Sequence, residues 1–135
     1  SSLRGRKTEN RRQSMIKDVT DLHVYQRSMA LILPMKRLVS LLPKNEYTMR
    51  DQCTKTMYRI PATIAEGWGK KHSEKEFKRF LEMALGSSDE IITHVRMVKI
   101  CEFVRIKPET CDALMREYKI VSKELTNLIK KWKNY

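Results

Sequence analysis

Glycine and proline are scarce in this chain, four of each in 135 residues. A sandwich or barrel of short strands needs more turn residues than that, so the composition leans towards helix. Cysteine is scarcer still. Cys53, Cys101 and Cys111 are an odd number with no C-x-x-C spacing, which argues against a disulfide framework and a zinc site. No apolar run approaches the roughly 18 residues of a membrane span, and the first residues lack a signal-peptide apolar core. A cytoplasmic protein with no membrane partner is therefore expected. The chemical inventory is equally thin. His23, His72 and His94 fit neither H-E-x-x-H nor a ligand spacing with cysteine, and Gly67-Trp68-Gly69-Lys70-Lys71 lacks the Walker spacing and the strand before it. No metal, no cofactor and no enzymatic activity are expected.

What the chain does have is apolar content and positive charge. At 16.0 kDa it reads as one domain, long enough to bury a core without staples. Hydrophobic residues at 41% and charged residues at 33% suit a folded, soluble chain. The net charge is +12. Residues 1–20 carry net +4, 21–45 net +3, 96–107 net +3 and 108–135 net +2, while eight charges of each sign cancel over 46–95. An excess of this size points to a polyanionic partner, of which nucleic acid is the usual one. A self-repelling, soluble surface is the plainer reading.

Residues 1–14 hold Arg4, Arg6, Lys7, Arg11 and Arg12, with Leu3 as the lone aliphatic side chain. Such a stretch buries too little apolar area to offset its ordering entropy, which predicts a mobile basic arm or a vector-derived remnant ahead of Met15. Without it the charge is still +8. Residues 15–135 read as four helical segments. Asp21 serves as N-cap to the first, whose stripe is Leu22, Tyr25, Met29, Ile32, Leu33, Val39 and Leu42, with Pro34 kinking or splitting it. The second runs from about Glu46 to Trp68 with Met49, Cys53, Met57, Ile60, Ile64 and Ala65 on one face, a kink expected at Pro61 and a glycine stop at Gly67 and Gly69. Ser73 and Glu76 form an S-x-x-E capping box ahead of Phe77, Phe80, Leu81, Ala84, Leu85, Ser88, Ile91, Val95 and Val98. Pro108 opens the last segment, which continues through Cys111, Leu114, Met115, Tyr118, Val121, Leu125, Leu128, Ile129 and Trp132 at steps of three or four. Four long helices with short connections predict an all-α, up-down-up-down four-helix bundle. Cys53 and Cys111, on apolar stripes, are expected in its core.

The run from Ile60 to Lys70, IPATIAEGWGK, closely resembles the IPxNIAEGxGR signature of the small "four helix bundle" proteins. That family includes proteins encoded by intervening sequences of bacterial 23S rRNA genes and the accessory variability determinants of diversity-generating retroelements. The likeness continues through Ser73, Glu76, Phe77, Arg79, Phe80, Leu81, Ala84, Gly86, Ser87 and Glu90. Upstream it takes in Asp21, Leu22, Val24, Tyr25 and Gln26, then Pro43, Lys44, Glu46 and Gln52. Overall it spans roughly residues 18–130. Thr63 stands where the family usually has Asn, Lys70 replaces Arg, and Thr54, Thr56 and Arg59 lie in a stretch usually richer in Arg, Ala and Ser. The resemblance implies a barrel-like homopentamer and, for the retroelement members, binding to nucleic acid and to a reverse transcriptase. It also implies that Pro61, Glu66, Gly67, Gly86 and Glu90 serve structure or assembly, with Glu66, Arg79 and Glu90 pairing among themselves or across a subunit boundary.

Basic residues remain as the functional candidates. Lys70 and Lys71 precede the capping box, beside a helix N-terminus that itself favours phosphate. Arg79 follows two turns later. Lys130, Lys131 and Lys133 cluster at the end of the last helix, where Trp132 and Tyr135 offer stacking surfaces for exposed bases unless Trp132 closes the apolar stripe. Lys36, Arg37, Arg96, Lys99, Arg105 and Lys107 are more dispersed. Leu31, Met35, Ile92, Met97 and Ile100 lie beside the main stripes and are expected to supply subunit contacts. Three functions follow: a non-enzymatic accessory holding RNA or cDNA for a reverse transcriptase, an intervening-sequence protein devoted to self-assembly, or a scaffold for an acidic protein partner.

Overall fold

The computed structural model describes residues 3–134, and among them there is no strand. The chain forms α1 (Leu3–Ser14), a short 3-10 turn (Val19–Asp21), α2 (His23–Ala30), α3 (Ile32–Ser40), α4 (Tyr47–Trp68), α5 (Glu74–Ile100) and α6 (Pro108–Lys131). None of these helices is long and apolar enough to cross a membrane. Cross-helix contacts fix the direction of each packed pair. Gly67 meets Phe80 while Thr56 bonds Glu90, so α4 and α5 are antiparallel. Lys99 bonds Asp112 and Ser88 bonds Ser122, so α5 and α6 are antiparallel as well. Arg27 reaches Glu124 at 2.6 Å and Glu117 at 3.4 Å, tying α2 to α6. With α2 and α3 counted as one broken layer, four helical layers surround a single core.

The apolar stripes explain that core. Met57, Ile60 and Ile64 of α4, Phe77, Leu81, Ile91 and Val95 of α5, and Tyr118, Val121 and Leu125 of α6 are all fully or almost fully buried. Burying one such side chain contributes about 1.5–3 kcal/mol. Cys53 and Cys111 lie in this core, and burial pushes the Cys53 thiol up to about 11. The Tyr118 hydroxyl is buried without a hydrogen-bond partner, and its burial raises its pKa.

The split expected at Pro34 is present, while several caps and stops take other geometry. Asp21 does not cap α2. Asp18 caps the 3-10 turn instead, and the Asp21 carboxylate accepts from the Lys17 and Asp18 amides at 2.9 and 3.0 Å, while Leu22 opens α2 with no side-chain cap. The first layer breaks at Leu31, three residues before Pro34. Proline has no N–H to give the Ala30 carbonyl four residues back, so the missing bond shows as a break one turn upstream. Pro61, by contrast, is buried inside an unbroken α4. Gly67 is no stop: it lies within α4, and Gly69 ends the helix in right-handed geometry, with no positive-φ glycine among the described residues. The capping box is half made. Ser73 Oγ accepts from the Glu76 amide at 3.2 Å, but the Glu76 carboxylate turns to Arg79.

Residues 3–14, expected as a mobile basic arm or a remnant, are helical in α1, and none of them is buried. Leu31, Met35 and Ile92, expected at subunit contacts, belong to the chain's own core, whereas Met97 and Ile100 are exposed. The three polar groups expected to pair together do not meet as a trio. Glu90 accepts from Thr56 Oγ1 at 2.8 Å and bonds His94 Nε2 at 3.0 Å, with Arg59 at 3.8 Å. Arg79 pairs with Glu76, and Glu66 is exposed.

Candidate nucleic-acid interface

Three basic segments far apart in sequence meet at one end of the bundle. The first is the α4–α5 connection. Its lysines are laid over aromatic rings: Lys71 Nζ stands 4.8 Å from the Trp68 ring centre and Lys70 Nζ 5.3 Å from that of Phe80. Arg79 covers Phe80 as well, at 4.6 Å, so two cations share one ring. A ring face attracts a cation without neutralising it, which holds these long side chains in place with their charge still available. Arg79 also gives Nε to Glu76 at 3.0 Å, so any phosphate it takes competes with that carboxylate.

The second segment is the end of α6. Lys130 and Lys131 close the helix and Lys133 follows it, all three exposed. Trp132 is 6% exposed and packs edge-on against Phe77 and Trp68, with ring centres 5.0 and 6.0 Å away. It therefore closes the apolar stripe and offers no face to a base. Tyr135 lies outside the described residues. Asn134 joins this segment to the first: its side-chain amide donates to the His72 carbonyl at 3.1 Å and the Lys71 carbonyl at 3.4 Å, and its backbone N–H donates to Glu74 at 2.7 Å. That bond is the main reason the Glu74 carboxyl titrates lower than usual, and Lys78 and Lys133 nearby add to it. Asn134 Oδ1 in turn accepts from the buried Trp132 indole at 3.3 Å.

The third segment is α1, which brings Arg11 and Arg12 in its last turn to the same end. The Gln13 amide pairs with the backbone of Lys133, donating to its carbonyl and accepting from its N–H. The arrangement has the features of a phosphate-backbone surface: several fixed cations, a helix N-terminus and, among the described residues, no exposed aromatic group or reading helix aimed at base edges. Gln13 and Asn134 are the residues that sequence reasoning missed. Nothing in the linear pattern marks them, since polar bonds to a distant backbone leave no periodicity.

Elsewhere the geometry offers little chemistry. Among the described residues no group of His, Cys, Asp or Glu is placed to hold a metal ion. A groove of about 1040 Å³ runs between α2, α3 and α6, over Leu31, Pro34, Leu38 and Leu114, where the broken first layer stands off from α6.

The fold and this end together define a basic all-helical bundle protein. Residues 20–127 match the family model described as 23S rRNA-intervening sequence protein, and the chain belongs to that family. No curated protein matches it.

Proposed function

We propose that this intervening-sequence-family protein is a non-enzymatic, cytoplasmic protein that binds nucleic acid through its phosphate backbone, using the basic end built from Lys70, Lys71, Arg79, Lys130, Lys131 and Lys133. The observation that carries this reading is the tie made by Asn134, which sets the lysines at the end of α6 beside those of the α4–α5 connection. No base-reading element stands there among the described residues, so the binding is expected to be weakly selective among sequences of similar shape.

The test is a salt titration of RNA binding. Log affinity falls with log salt at about −0.7 per phosphate contact on a single strand. Replacing Lys130, Lys131 and Lys133 together by Gln weakens binding and flattens that slope by up to about two, with helicity unchanged. An intact protein that binds neither RNA nor DNA at low salt refutes the reading and leaves the charge to solubility or to an acidic protein partner. The finer form of the proposal follows the family resemblance, with a reverse transcriptase as protein partner and a homopentamer as the assembled state. A reverse transcriptase gene with paired template and variable repeats beside this one supports the first, and an enclosing rRNA gene argues for the intervening-sequence role alone. Light scattering at about five times the 16.0 kDa chain mass supports the second, and a monomer at micromolar concentration refutes it.

A further inference from the structure

A twelve-residue helix such as α1 is marginal in water on its own, and none of its residues is buried. Its internal support is local: Arg12 pairs with Glu9 at 3.0 Å and Thr8 Oγ1 donates to the Arg4 carbonyl. Gln13 makes a long-range tie: its side-chain amide pairs with the backbone of Lys133 through both its donor and its acceptor. Lys133 can serve as an anchor because its neighbours are fixed, Trp132 in the aromatic cluster and Asn134 on the carbonyls of Lys71 and His72. A continuous path of bonds thus runs from α1 through residues 132–134 to the α4–α5 connection.

We propose that Gln13 is a positioning residue, the clasp that docks the cations of α1 onto the basic end and so enlarges the phosphate-binding surface. The proposal rests on the nucleic-acid reading above for what the docked helix does, though not for the docking itself. Both the donor and the acceptor of the Gln13 amide are needed, so Gln13→Ala removes the clasp and Gln13→Glu keeps only the acceptor for the Lys133 N–H.

The docking is tested by hydrogen exchange on the full-length chain. In Gln13→Ala the amides of residues 3–14 exchange about tenfold faster while those of α4, α5 and α6 are unchanged, with Gln13→Glu between the two. Exchange in α1 that is the same in Gln13→Ala as in the unaltered protein overturns the clasp. The second measurement is the anisotropy of a labelled 20-nucleotide poly(U) strand across a salt series. Gln13→Ala lowers affinity severalfold and flattens the salt slope by at least about 0.7, one lost phosphate contact. A role confined to stability leaves that slope untouched, so faster exchange with an unchanged slope overturns the enlarged surface. If the unaltered protein does not bind the strand at all, the nucleic-acid reading has failed, and the exchange result still decides the clasp on its own.

Discussion

Gly67 and Gly86 stand in the same family-like stretch, yet the structure gives them opposite physics. Gly67 sits where α4 crosses α5, and a Cβ placed on it would lie 2.6 Å from Cβ of Phe80. Carbon atoms rest about 3.5–4.0 Å apart, so Gly67→Ala requires the helices to separate locally by about 1 Å. Phe80 cannot swing aside, because the contact is at the root of its side chain. The separation also disturbs the neighbouring packing of Phe77 against Trp68 and Trp132. Overpacking of this kind costs about 1–3 kcal/mol, and the top of that range applies where no flexible atom can yield. Alanine recovers up to about 1 kcal/mol through its helix propensity. The net expectation for Gly67→Ala is a loss of about 2 kcal/mol, or roughly 6–10 °C in Tm for a chain of this length.

Gly86, midway along α5, has no atom within 4 Å of its built Cβ. Gly86→Ala therefore keeps the propensity gain without a clash and raises stability by about 0.5–1 kcal/mol. Urea and thermal melts followed by circular dichroism, at two protein concentrations, measure both variants. A Gly67→Ala protein as stable as the parent would refute the account of the α4–α5 crossing. For Gly86→Ala, a loss of stability that grows with protein concentration would place that glycine at a subunit contact, where a small residue is needed against another chain.

Two further outcomes follow from the polar and thiol groups. The hydrogen bonds from Thr56 and His94, with Arg59 nearby, hold the Glu90 carboxyl below its ordinary value of 4.5, so its contribution is complete at neutral pH and is lost as pH falls from there through the lowered value. Glu90→Gln is accordingly less stable than the parent at pH 7, by under about 1 kcal/mol for so exposed a site, and the gap closes in the acid arm of the stability curve; a gap independent of pH would contradict it. Cys53 and Cys111 are buried with raised thiol pKa values while Cys101 is exposed, so a disulfide reagent at about pH 8 labels one thiol per folded chain and all three in denaturant. Rapid labelling of a second thiol in the folded state would mean that the core opens there.

The stripes were readable because helical periodicity is local: each side chain's face follows from its own helix. Along α5 the marked residues Phe77, Phe80, Leu81, Ala84, Ser88, Ile91, Val95 and Val98 are all buried, and Leu85 is half-buried. Leu31, Met35 and Ile92 fell outside the main stripes because the core draws on more than one face of a surrounded helix. Pro34 announced a break in the first layer, but its position at Leu31 follows from which carbonyl loses its partner. The basic residues of the candidate site were all visible as residues. Their meeting was not, since it depends on Asn134 reaching back 62 positions to His72 and on Gln13 reaching 120 positions ahead to Lys133. Bonds of that span are products of the fold and have no counterpart in spacing.

The placement of the charge excess follows from the topology. An even number of antiparallel layers returns the chain to the end from which it started. The first residues, with net +4 over 1–20, therefore lie beside the last, where Lys130, Lys131 and Lys133 stand, and the α4–α5 connection falls at the same end. The acids of the balanced middle are largely spent on the fold, Glu74 on Asn134 and Lys78, Glu76 on Arg79, and Glu90 on Thr56, His94 and Arg59. On α6, Glu117 and Glu124 are taken up by Arg27. A chain whose charges cancel in the middle of its sequence thus becomes a bundle with ion-paired sides and bases at both ends, Lys70, Lys71, Lys130, Lys131 and Lys133 at one and Lys44, Arg50 and Arg105 at the other.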